Sequence, residues 1–582
     1  MMQQENSVVR TTPGDTRTPL LESFDHWVSH QPAAVAVEHA TANWTYAQLD
    51  AASDALVQVL ADHVAPGDLV VVALGRSPEL VAAALAVRRL GATYLAVSDA
   101  KRLSTLADAD IRPRAVLSRL GELAEPFTTV AVPAGDGVAV HLHDAAAGDP
   151  ETAYVVLTSG STGVPKPIAV AEPSLRNLCA WWHDINGTGA GNRVGFAVDV
   201  AFDPHLKVLW GALTTGAALC LAAAEDLEDP AQVLEWLVRS RITACVLPTP
   251  LGEMVISRPW PAETALRHLF IGGDRLREWP HETVTAVVHN AYGPAECTVM
   301  ATSCDLGSAD RSAAVTPPIG TAMPGADLCV VDGDRQVVPR GTAGELLIGG
   351  ACLATGYLGR PELTADRFVT ATVDGAGQRW YRTGDWVVMR PDGVLEYLGR
   401  NDNQVKVSGV RVELDGVEAL AERVNGVRRA VVLALGNGAD TRLAAFVLAD
   451  DRTVSADAMR AHLAEFLHPA AVPGVIRFVD GLPHKENGKI DHEALRALLR
   501  DGTDGEEPGV TTEAELAVLR ACRAVLGAQH VPLDVNFVDI GGSSLVAMRI
   551  AQHLERAMGV KVRARDLFLK PTLRDLAAAL AG

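Results

Sequence analysis

The sequence predicts an α/β multidomain protein with a large N-terminal core, a small α+β domain and an all-helical C-terminal domain. Three observations predict this arrangement. The chain has 582 residues, too many for one compact core. Apolar runs of strand length alternate with helical patterns through most of the chain, as in α/β proteins. A polar, acidic, Gly- and Pro-rich segment at 501–510 then precedes a stretch whose apolar residues recur at helical spacing.

The domain boundaries follow from these changes of composition and pattern. We expect a flexible tail over residues 1–19 and a large core over 20–400. A small mobile subdomain over 401–499 follows it. A linker over 500–510 then leads to the helical domain at 511–582.

In the core, the run 68–74 is predicted to be a buried strand. Ser77 and Pro78 follow it as the N-cap and first residue of a helix that ends at Gly91. Loops that contain Gly, Pro or Asn end the other strands, and α/β proteins commonly bind ligands at such loops. These further core strands are predicted at 153–157, 242–247, 269–271 and 284–288.

The two smaller domains are predicted from shorter patterns. Strands at 430–435 and 443–448 precede a helix from Ser455 in the small subdomain. In the last domain one helix begins near Leu545 and ends at Gly559.

Composition narrows the class of function. The formal net charge of −20 disfavours nucleic acid and anionic membranes as partners. No run approaches the roughly 20 apolar residues that span a bilayer, and residues 1–19 lack the apolar core of a secretory signal. The eight cysteines form no CxxC pair and no zinc-finger spacing, so we expect free thiols in a cytoplasmic protein.

The segment 157–166, Leu-Thr-Ser-Gly-Ser-Thr-Gly-Val-Pro-Lys, places a small-residue loop and Lys166 directly after a predicted strand. Backbone N–H groups, hydroxyls and a lysine are suited to phosphate oxygens. The spacing does not match a P-loop, and Pro167 follows the lysine. A flexible surface loop is the alternative that this segment alone leaves open.

Four further motifs follow in order: Asn-Ala-Tyr-Gly-Pro-Ala-Glu at 290–296, Tyr-Arg-Thr-Gly-Asp at 381–385, Gly-Arg-Asn-Asp-Asn-Gln-Val-Lys at 399–406 and Asn-Gly-Lys-Ile-Asp at 487–491. With the 157–166 loop, they resemble the adenylation domains of nonribosomal peptide synthetases, within the adenylate-forming superfamily. The resemblance extends from about Leu20 to Leu499. Five motifs in this order are a far more specific signal than any one of them alone.

The resemblance implies a role for each motif residue. Tyr292 would stack on adenine, Asp385 would bind the ribose hydroxyls, and Glu296 would help to hold Mg²⁺, which prefers carboxylate oxygen. Lys166 and Lys489 are the implied catalytic lysines, and Lys489 would bridge the substrate carboxylate and the α-phosphate. The implied ATP-binding residues are Thr158, Ser159, Gly160, Ser161, Thr162, Gly163, Asn290, Ala291, Tyr292, Gly293, Asp385, Tyr397 and Arg400.

Asp402 lies where the resemblance places a hinge of the small subdomain. One orientation would bring Lys489 to the adenylate, and the other would withdraw Lys489 and admit a carrier thiol. Without the resemblance, a loop aspartate such as Asp402 would be a turn residue.

The last motif, Phe-Val-Asp-Ile-Gly-Gly-Ser-Ser-Leu at 537–545, resembles the phosphopantetheine attachment site of peptidyl carrier proteins. The resemblance covers about 511–581, implies a four-helix carrier domain, and makes Ser544 rather than Ser543 the modified residue. The alternative is that Ser544 only caps the helix that begins at Leu545.

The residues Phe202 and Asp203 match the family position that binds the α-ammonium of an amino acid, and a buried carboxylate needs such a partner. Lys207 is unusual in the implied pocket because the other wall residues offer it no anion. A carboxylate on the substrate side chain, snorkelling of Lys207 to solvent, and pairing with another neighbour all remain open. The implied pocket residues are Asp203, Pro204, Lys207, Val246, Phe270, Gly272, Ala291, Val299, Met300 and Lys489.

The resemblance therefore implies a freestanding adenylation–carrier didomain of natural-product biosynthesis. With ATP and Mg²⁺ it would form an aminoacyl-AMP and load the aminoacyl group as a thioester on 4'-phosphopantetheine at Ser544. An acyl- or aryl-acid CoA ligase and a non-catalytic carrier scaffold are the alternatives.

The expected partners are the amino acid, a phosphopantetheinyl transferase and an in-trans condensation or tailoring enzyme. The sequence shows neither the His-His-x-x-x-Asp-Gly pattern of condensation domains nor a Gly-x-Ser-x-Gly motif. Whether a small helper protein also binds is left open.

Overall fold

We describe the fold from a computed structural model of the chain. The structure describes residues 6–14, 18–40, 42–98, 103, 106, 109–119, 128–131, 138–143, 148–158, 164–187, 189–311, 316–373, 376–400, 404–407, 409–436, 441–449, 454–483, 490–501, 512–526, 531–540, 542 and 544–581. They fall into two compact units, each treated by itself. The first comprises 1–158, 165–223 and 234–402, and the second comprises 159–164, 224–233 and 403–582.

An eight-stranded mixed sheet forms one layer of the first unit. Its central strands Thr93–Ala96, Leu69–Ala73 and Ala115–Arg119 are parallel, whereas hairpins build both edges. The strand 69–73 and the helix after it confirm the predicted pair, because the Ser77 hydroxyl accepts from the Leu80 N–H at 3.2 Å. From edge to edge the strands are Gly356–Tyr357, Lys166–Ala171, Thr152–Thr158, Thr93–Ala96, Leu69–Ala73, Ala115–Arg119, Val138–Leu142 and Thr128–Ala131.

A nine-stranded sheet forms a second layer and carries most of the site. Its six central strands are parallel, so their carboxyl ends meet at one edge. From edge to edge the strands are Thr321–Ala322, Thr302–Asp305, Val287–Tyr292, His268–Gly272, Ala244–Pro248, Arg193–Phe196, Ala218–Leu221, Val35–His39 and Ala42–Thr45. The helices of this part of the chain and of the preceding sheet are Leu20–His30, Tyr46–Leu60, Pro78–Arg89, Glu172–Asn186, Pro204–Leu213, Pro230–Arg239 and Thr249–Ile256.

A six-stranded antiparallel sheet completes the first unit. The long strand Ala376–Met389 pairs with three others, and one of them is Leu395–Arg400. This pairing sets Asp385 opposite Arg400. The remaining strands are Val8–Val9, Ala326–Val331, Ala343–Gly350 and Phe368–Val373, with one helix, Pro361–Arg367.

The second unit begins with the small α+β subdomain. A two-stranded ribbon and a three-stranded sheet are covered by helices, and Val431, Phe446 and Leu495 are among its buried core residues. The strands are Gln404–Val407, Val410–Glu413, Val427–Leu435, Arg442–Ala449 and Val475–Phe478, and the helices are Leu414–Ala421, Ala456–Phe466 and His492–Asp501. The last helix extends two residues into the segment predicted as a linker, and the rest of that segment lies outside the described residues.

The C-terminal domain has a four-helix architecture, as the resemblance implies. Apolar side chains from each helix form its core, with Phe537 from the connecting 3-10 turn. The helices are Glu513–Leu526, Ser544–Met558, Ala564–Leu569 and Leu573–Ala581. Helix 544–558 begins at Ser544 itself, one residue before the predicted start, and ends before Gly559, which adopts φ +67°.

Most predicted strands are confirmed within one or two residues, the strand predicted at 430–435 begins three residues earlier at Val427, and one strand is misplaced. The segment predicted at 284–288 is a strand over Val287–Tyr292, because pairing with the parallel strand His268–Gly272 begins only at Val287. The eight cysteines are free and buried. Within the described ranges, no helix has both the length and the apolar composition needed to cross a bilayer.

Candidate active site

The predicted nucleotide residues Asp385, Tyr292, Tyr397 and Arg400 lie together in the first unit. Arg400 Nη1 donates to Asp385 Oδ1 at 2.6 Å, and the Tyr397 hydroxyl lies 3.5 Å from the same oxygen. The Tyr292 hydroxyl donates to Asp385 Oδ2 at 2.5 Å. Burial and the nearby Asp385 carboxylate raise the pKa of Tyr292 well above its usual range, so the phenol remains a donor. Both carboxylate oxygens are thus held before a ligand arrives.

The backbone around this carboxylate is also fixed. Arg400 Nη2 donates to the Thr383 carbonyl at 3.0 Å, and the Thr383 hydroxyl accepts from the Asp385 N–H at 2.9 Å. A guanidinium that contacts both a carboxylate and a carbonyl is held in one orientation. A carboxylate has about four lone-pair positions, so Asp385 retains capacity for hydroxyl donors such as those of ribose.

The predicted phosphate loop is framed by a hairpin. Thr158 ends one strand and pairs directly with Lys166, which begins the next, and the Thr158 hydroxyl lies 3.4 Å from the Lys166 carbonyl. The loop residues 159–163 lie outside the described residues. The hairpin places both ends of the loop beside each other.

Glu296 lies in the 3-10 turn Ala295–Cys297 and is fully buried. The Tyr357 hydroxyl donates to Glu296 Oε1 at 2.7 Å, and the Ala354 N–H donates to the Glu296 carbonyl at 2.9 Å. Tyr357 is not among the residues predicted from the sequence. The Gly-Tyr pair at 356–357 carries no local chemical signal, and only the pairing of strand Gly356–Tyr357 with strand 166–171 brings the phenol near.

The backbone after this turn is strained. Thr298 and Val299 adopt φ angles of +53° and +74°, a left-handed region that is a true outlier for β-branched residues. The Thr298 hydroxyl donates to the Cys352 carbonyl at 2.7 Å and supports the bend. Such strain concentrates at ligand sites. Here it turns Val299 and Met300 towards the predicted amino-acid pocket.

Asp203 is the residue before helix Pro204–Leu213 and is buried. The backbone N–H groups of Asp203 and Val299 donate hydrogen bonds to the Asp203 carboxylate. Its Oδ2 nevertheless has no hydrogen-bond partner among the described residues. Burial, with Glu296 nearby, raises the pKa of Asp203 to about 7. A cation at Oδ2 would satisfy the carboxylate.

Lys207 follows one turn later on the same helix and is 1% exposed, which excludes snorkelling to solvent. Its Nζ lies 2.9 Å from Met300 Sδ. The same Nζ lies 4.7 Å from the centre of the Phe270 ring and 4.9 Å from that of Trp182. Burial lowers the pKa of Lys207 to about 7, against the opposing effect of Asp203.

Trp181 and Trp182 are wall residues that the sequence analysis missed. They lie on helix Glu172–Asn186, which packs against helix 204–213 where Gly211 leaves space. A Cβ at Gly211 would lie 2.7 Å from Trp182 Cδ1. Adjacent tryptophans on a helix are typical of core packing, so the sequence offers no local signal of this role.

The remaining predicted pocket residues lie on adjacent elements. Val246, Phe270, Gly272 and Ala291 lie on three neighbouring parallel strands, near their carboxyl ends. A Cβ at Gly272 would lie 2.7 Å from the Ala291 carbonyl, so this glycine is needed for strand packing as well as for pocket space. Pro204 is the first residue of helix 204–213.

The other predicted positions are Asn290, Gly293, Lys489 and Asp402. Asn290 Nδ2 donates to the carbonyls of Pro317 and Pro318, at 3.3 and 2.8 Å, which gives this side chain a structural task. Gly293 follows the strand that ends at Tyr292. Lys489 and Asp402 lie outside the described residues.

Family models match three segments of the chain. The model described as AMP-binding enzyme matches residues 24–358, more than half of the sequence. The chain belongs to the AMP-binding enzyme family. Models described as AMP-binding enzyme C-terminal domain and phosphopantetheine attachment site match residues 416–489 and 517–580.

Curated relatives align with nearly the whole of this AMP-binding enzyme. It is 35% identical to a linear gramicidin synthase polypeptide of Brevibacillus parabrevis over 570 residues, covering 94% of this chain and 11% of that protein. It is 34% identical to the phosphinothricin tripeptide synthetase PhsC of Streptomyces viridochromogenes, covering 100% of this chain and 54% of the relative. The chain thus spans less than two thirds of either relative.

Solved structures support the same architecture. The fold matches that of holo-PA1221, described as an NRPS protein containing adenylation and PCP domains, with a TM-score of 0.75 and 24% identity over 97% of this chain and 96% of the other. The predicted resemblance to a nonribosomal peptide synthetase adenylation domain fused to a carrier domain is confirmed.

The carrier domain of this family member presents Ser544 at a helix start. Gly542 lies in the turn before it, where its N–H donates to the Phe537 carbonyl at 3.1 Å. A Cβ at Gly542 would lie 2.4 Å from the Phe537 ring, so the tight turn requires glycine there. The side chains of 543–545 lie outside the described residues.

Proposed function

We propose that this chain activates an α-amino acid with ATP and loads it as a thioester onto its own carrier domain. The observation that carries the proposal is the buried Asp203 carboxylate, whose Oδ2 has no partner among the described residues. An α-ammonium supplies the cation that such a carboxylate needs. A fatty or aryl acid supplies none and would leave Oδ2 unsatisfied.

In the first half-reaction, positioning and charge stabilisation do most of the work. Asp203 orients the amino acid by its ammonium, and Asp385, fixed by Arg400, Tyr292 and Tyr397, holds the ribose. A substrate carboxylate oxygen attacks the α-phosphorus of ATP and forms a P–O bond. The bond from that phosphorus to the bridging oxygen breaks, and pyrophosphate leaves. Lys166, the 159–163 loop and Lys489 would balance the phosphate charges.

The donor set fits a nucleotide-bound Mg²⁺. Mg²⁺ commonly uses one or two protein carboxylates, with phosphate oxygens and water completing the octahedron. Glu296 offers one buried carboxylate held by Tyr357. In the described part of the chain no group of three or more His, Cys, Asp or Glu side chains could hold a metal by itself. When bound, the ion would neutralise phosphate charge at Glu296.

In the second half-reaction, the aminoacyl group moves to the carrier. The thiol sulfur attacks the carbonyl carbon of the aminoacyl-AMP, a C–S bond forms, the C–O bond to AMP breaks, and the thiol proton passes to solvent. Rotation at Asp402 would exchange Lys489 for the carrier arm, so one site would serve both steps. The position of Ser544 at the start of helix 544–558 supports its role as the attachment residue.

The proposed function requires partner proteins before and after the loading step. A phosphopantetheinyl transferase would install the arm on Ser544. A condensation or tailoring enzyme, or a further synthetase module, would take the aminoacyl group from it. Exposed apolar side chains near the end of helix 564–569, Phe568 and Leu569, offer such proteins a contact surface.

Two measurements test the proposed function. ATP–pyrophosphate exchange across amino acids, with fatty and aryl acids as controls, should depend on an amino acid. An exchange supported only by fatty or aryl acids would instead indicate a CoA-ligase type of enzyme, and no exchange with any acid would indicate a non-catalytic scaffold.

Intact mass tests the loading step. After treatment with a phosphopantetheinyl transferase and coenzyme A, wild type and the matched Ser543→Ala variant should gain one arm and then one aminoacyl group. Ser544→Ala should gain neither but should retain pyrophosphate exchange. Modification of Ser544→Ala would refute the assignment of the carrier serine.

A further inference from the structure

Lys207 is a buried cation whose contacts in the described structure include no oxygen acceptor. Its Nζ contacts Met300 Sδ at 2.9 Å and faces the rings of Phe270, Trp182 and Trp181, with the last centroid 6.0 Å away. A thioether is a weak acceptor, and aromatic faces compensate only part of the lost hydration. The side chain therefore lies in an apolar cage that does not satisfy its charge.

The nearest protein anion does not relieve this deficit. Asp203 precedes Lys207 by four residues, and its charge favours the ammonium, but no ion pair joins the two groups among the described contacts. Residues four apart on a helix lie on one face, with Cβ atoms about 5–6 Å apart. The pocket thus presents an unsatisfied anion and an unsatisfied cation one helical turn apart.

That pair of charges is the complement of an amino acid with an acidic side chain. We propose that Lys207 is a specificity-determining residue that binds the side-chain carboxylate of an acidic α-amino acid, while Asp203 binds its α-ammonium. This inference rests on the proposed function, because it assigns the substrate class of the same pocket. Each buried charge would gain the partner that the protein does not provide.

The cage can admit such a carboxylate. Methionine is unbranched and flexible, so the Met300 thioether can yield its position beside Nζ to a carboxylate oxygen. The rings of Trp181, Trp182 and Phe270 exclude water, which strengthens the ion pair once it has formed. A neutral side chain of the same size would leave Lys207 unpaired and incur that desolvation penalty.

The first experiment needs no variant. Pyrophosphate exchange of the full chain is measured with glutamate, aspartate and 2-aminoadipate, and with the size-matched neutral amino acids glutamine, asparagine, leucine and methionine. At least one acidic amino acid should exceed its neutral counterpart by about 100-fold or more in kcat/KM. A neutral amino acid as the best substrate would overturn this inference and leave the proposed function intact. Exchange with no amino acid would overturn the proposed function itself.

The second experiment assigns the selectivity to Lys207. Lys207→Met keeps the apolar stem and removes the charge, so kcat/KM for the acidic amino acid should fall by about 100-fold, mostly through KM. The preference over the matched amide should disappear. Lys561→Met, an exposed lysine of the carrier domain, is the matched control and should retain both.

Two further measurements distinguish a loss of selectivity in Lys207→Met from a folding defect. The KM for ATP of Lys207→Met should stay close to that of wild type, because the described contacts of Lys207 are with Met300 and the aromatic rings rather than with the residues around Asp385. Its thermal midpoint should equal or exceed that of wild type, because the substitution removes a buried charge that has no anionic partner. Retention of the full acidic preference by a folded Lys207→Met would refute the role of this residue.

Discussion

Two buried aspartates of the first unit differ in how the protein satisfies them. Asp385 has both carboxylate oxygens bound, by Tyr292 on one side and by Arg400 and Tyr397 on the other. Asp203 has one oxygen near backbone N–H groups and the other without a partner in the described structure. Both lie in the core of the same unit, so exposure does not explain the difference.

The difference indicates how the two ends of the site divide their tasks. In the proposed function every substrate is activated with the same nucleotide, so the nucleotide end of the site can be assembled in advance, and preorganised groups cost nothing to arrange at the moment of reaction. The amino-acid end must discriminate. Buried groups that stay unsatisfied until the right ligand binds give strong discrimination, because a wrong ligand leaves them unpaired.

The largest expected effect comes from Asp203→Asn, which keeps the shape and removes the charge. The substrate ammonium then lacks a counter-charge, and breaking a buried pair in this way costs about 3–5 kcal/mol. We expect kcat/KM for the amino acid to fall by about 10²–10⁴-fold, with the KM for ATP near the wild-type value. Steady-state pyrophosphate exchange measures both.

Asp199→Asn is the matched control, because Asp199 already has protein partners. Its Oδ1 accepts from Ser98 Oγ at 2.7 Å and from the Ala201 N–H at 2.8 Å, and an amide oxygen can accept both hydrogen bonds. Its activity should stay close to wild type. Equal losses in the two variants would show that the effect is not specific to the unpartnered carboxylate.

Sequence could predict that Asp385, Tyr397 and Arg400 lie together, whereas the surroundings of Lys207 could be predicted only in part. Asp385, Tyr397 and Arg400 lie in short contiguous motifs, and an antiparallel strand pair sets them together. Trp181 and Trp182 are close to Lys207 only because one helix packs on another at Gly211, a contact between distant segments. The depth of Lys207 likewise follows from tertiary packing, so the choice between snorkelling and burial could not be made from sequence.

The fold, like the site, could be predicted from sequence only where the signals are local. Strand 69–73 and the helix after it were predictable because apolar runs and the Ser-Pro cap are local signals. Strand 287–292 was displaced by three residues, because its start depends on where the neighbouring strand pairs with it. Boundaries set by tertiary pairing are not encoded in local periodicity.

The second-largest expected effect tests the nucleotide end of the site, which the protein assembles in advance. Arg400→Ala removes the cation beside Asp385 and leaves the two tyrosine hydroxyls to hold the carboxylate. We expect the KM for ATP to rise by about 30- to 100-fold, because truncating one partner of a buried pair costs at least about 2 kcal/mol. The ranking of amino acids should not change, since the described hydrogen bonds of Arg400 are with Asp385 and Thr383.

Arg400→Lys provides the graded control. Lysine keeps the charge but cannot contact the Asp385 carboxylate and the Thr383 carbonyl with one planar group, so an intermediate KM is expected. Pyrophosphate-exchange assays, in which the ATP concentration is varied with each of several amino acids, separate effects on the nucleotide end of the site from effects on the amino-acid end. A changed order of amino-acid preference in either variant would contradict the division of tasks.

The smallest expected effect is the change in stability of the Asp203 variant, and its sign should be opposite to that of the matching Asp385 variant. At pH 8, Asp385→Asn leaves Arg400 as a buried cation without its carboxylate, and the free energy of unfolding should fall by about 3 kcal/mol. Asp203→Asn removes an unsatisfied charge, so the free energy of unfolding should rise by about 1 kcal/mol although the enzyme is less active.

The gain from Asp203→Asn should also depend on pH in one direction. Burial raises the pKa of Asp203 from 3.8 to about 7, so between these values the folded protein holds a proton that the unfolded chain releases. The contribution of Asp203 to the free energy of unfolding is therefore fully present below pH 3.8 and is lost as the pH rises towards 7. The variant has no such loss. Its thermal midpoint should exceed that of wild type at pH 8 and approach it at about pH 5, since Lys207 is present in both proteins. Melting curves of the two proteins across this range measure the difference, and a gain that grew as the pH fell would show that Asp203 is not the unsatisfied carboxylate that the pocket comparison requires.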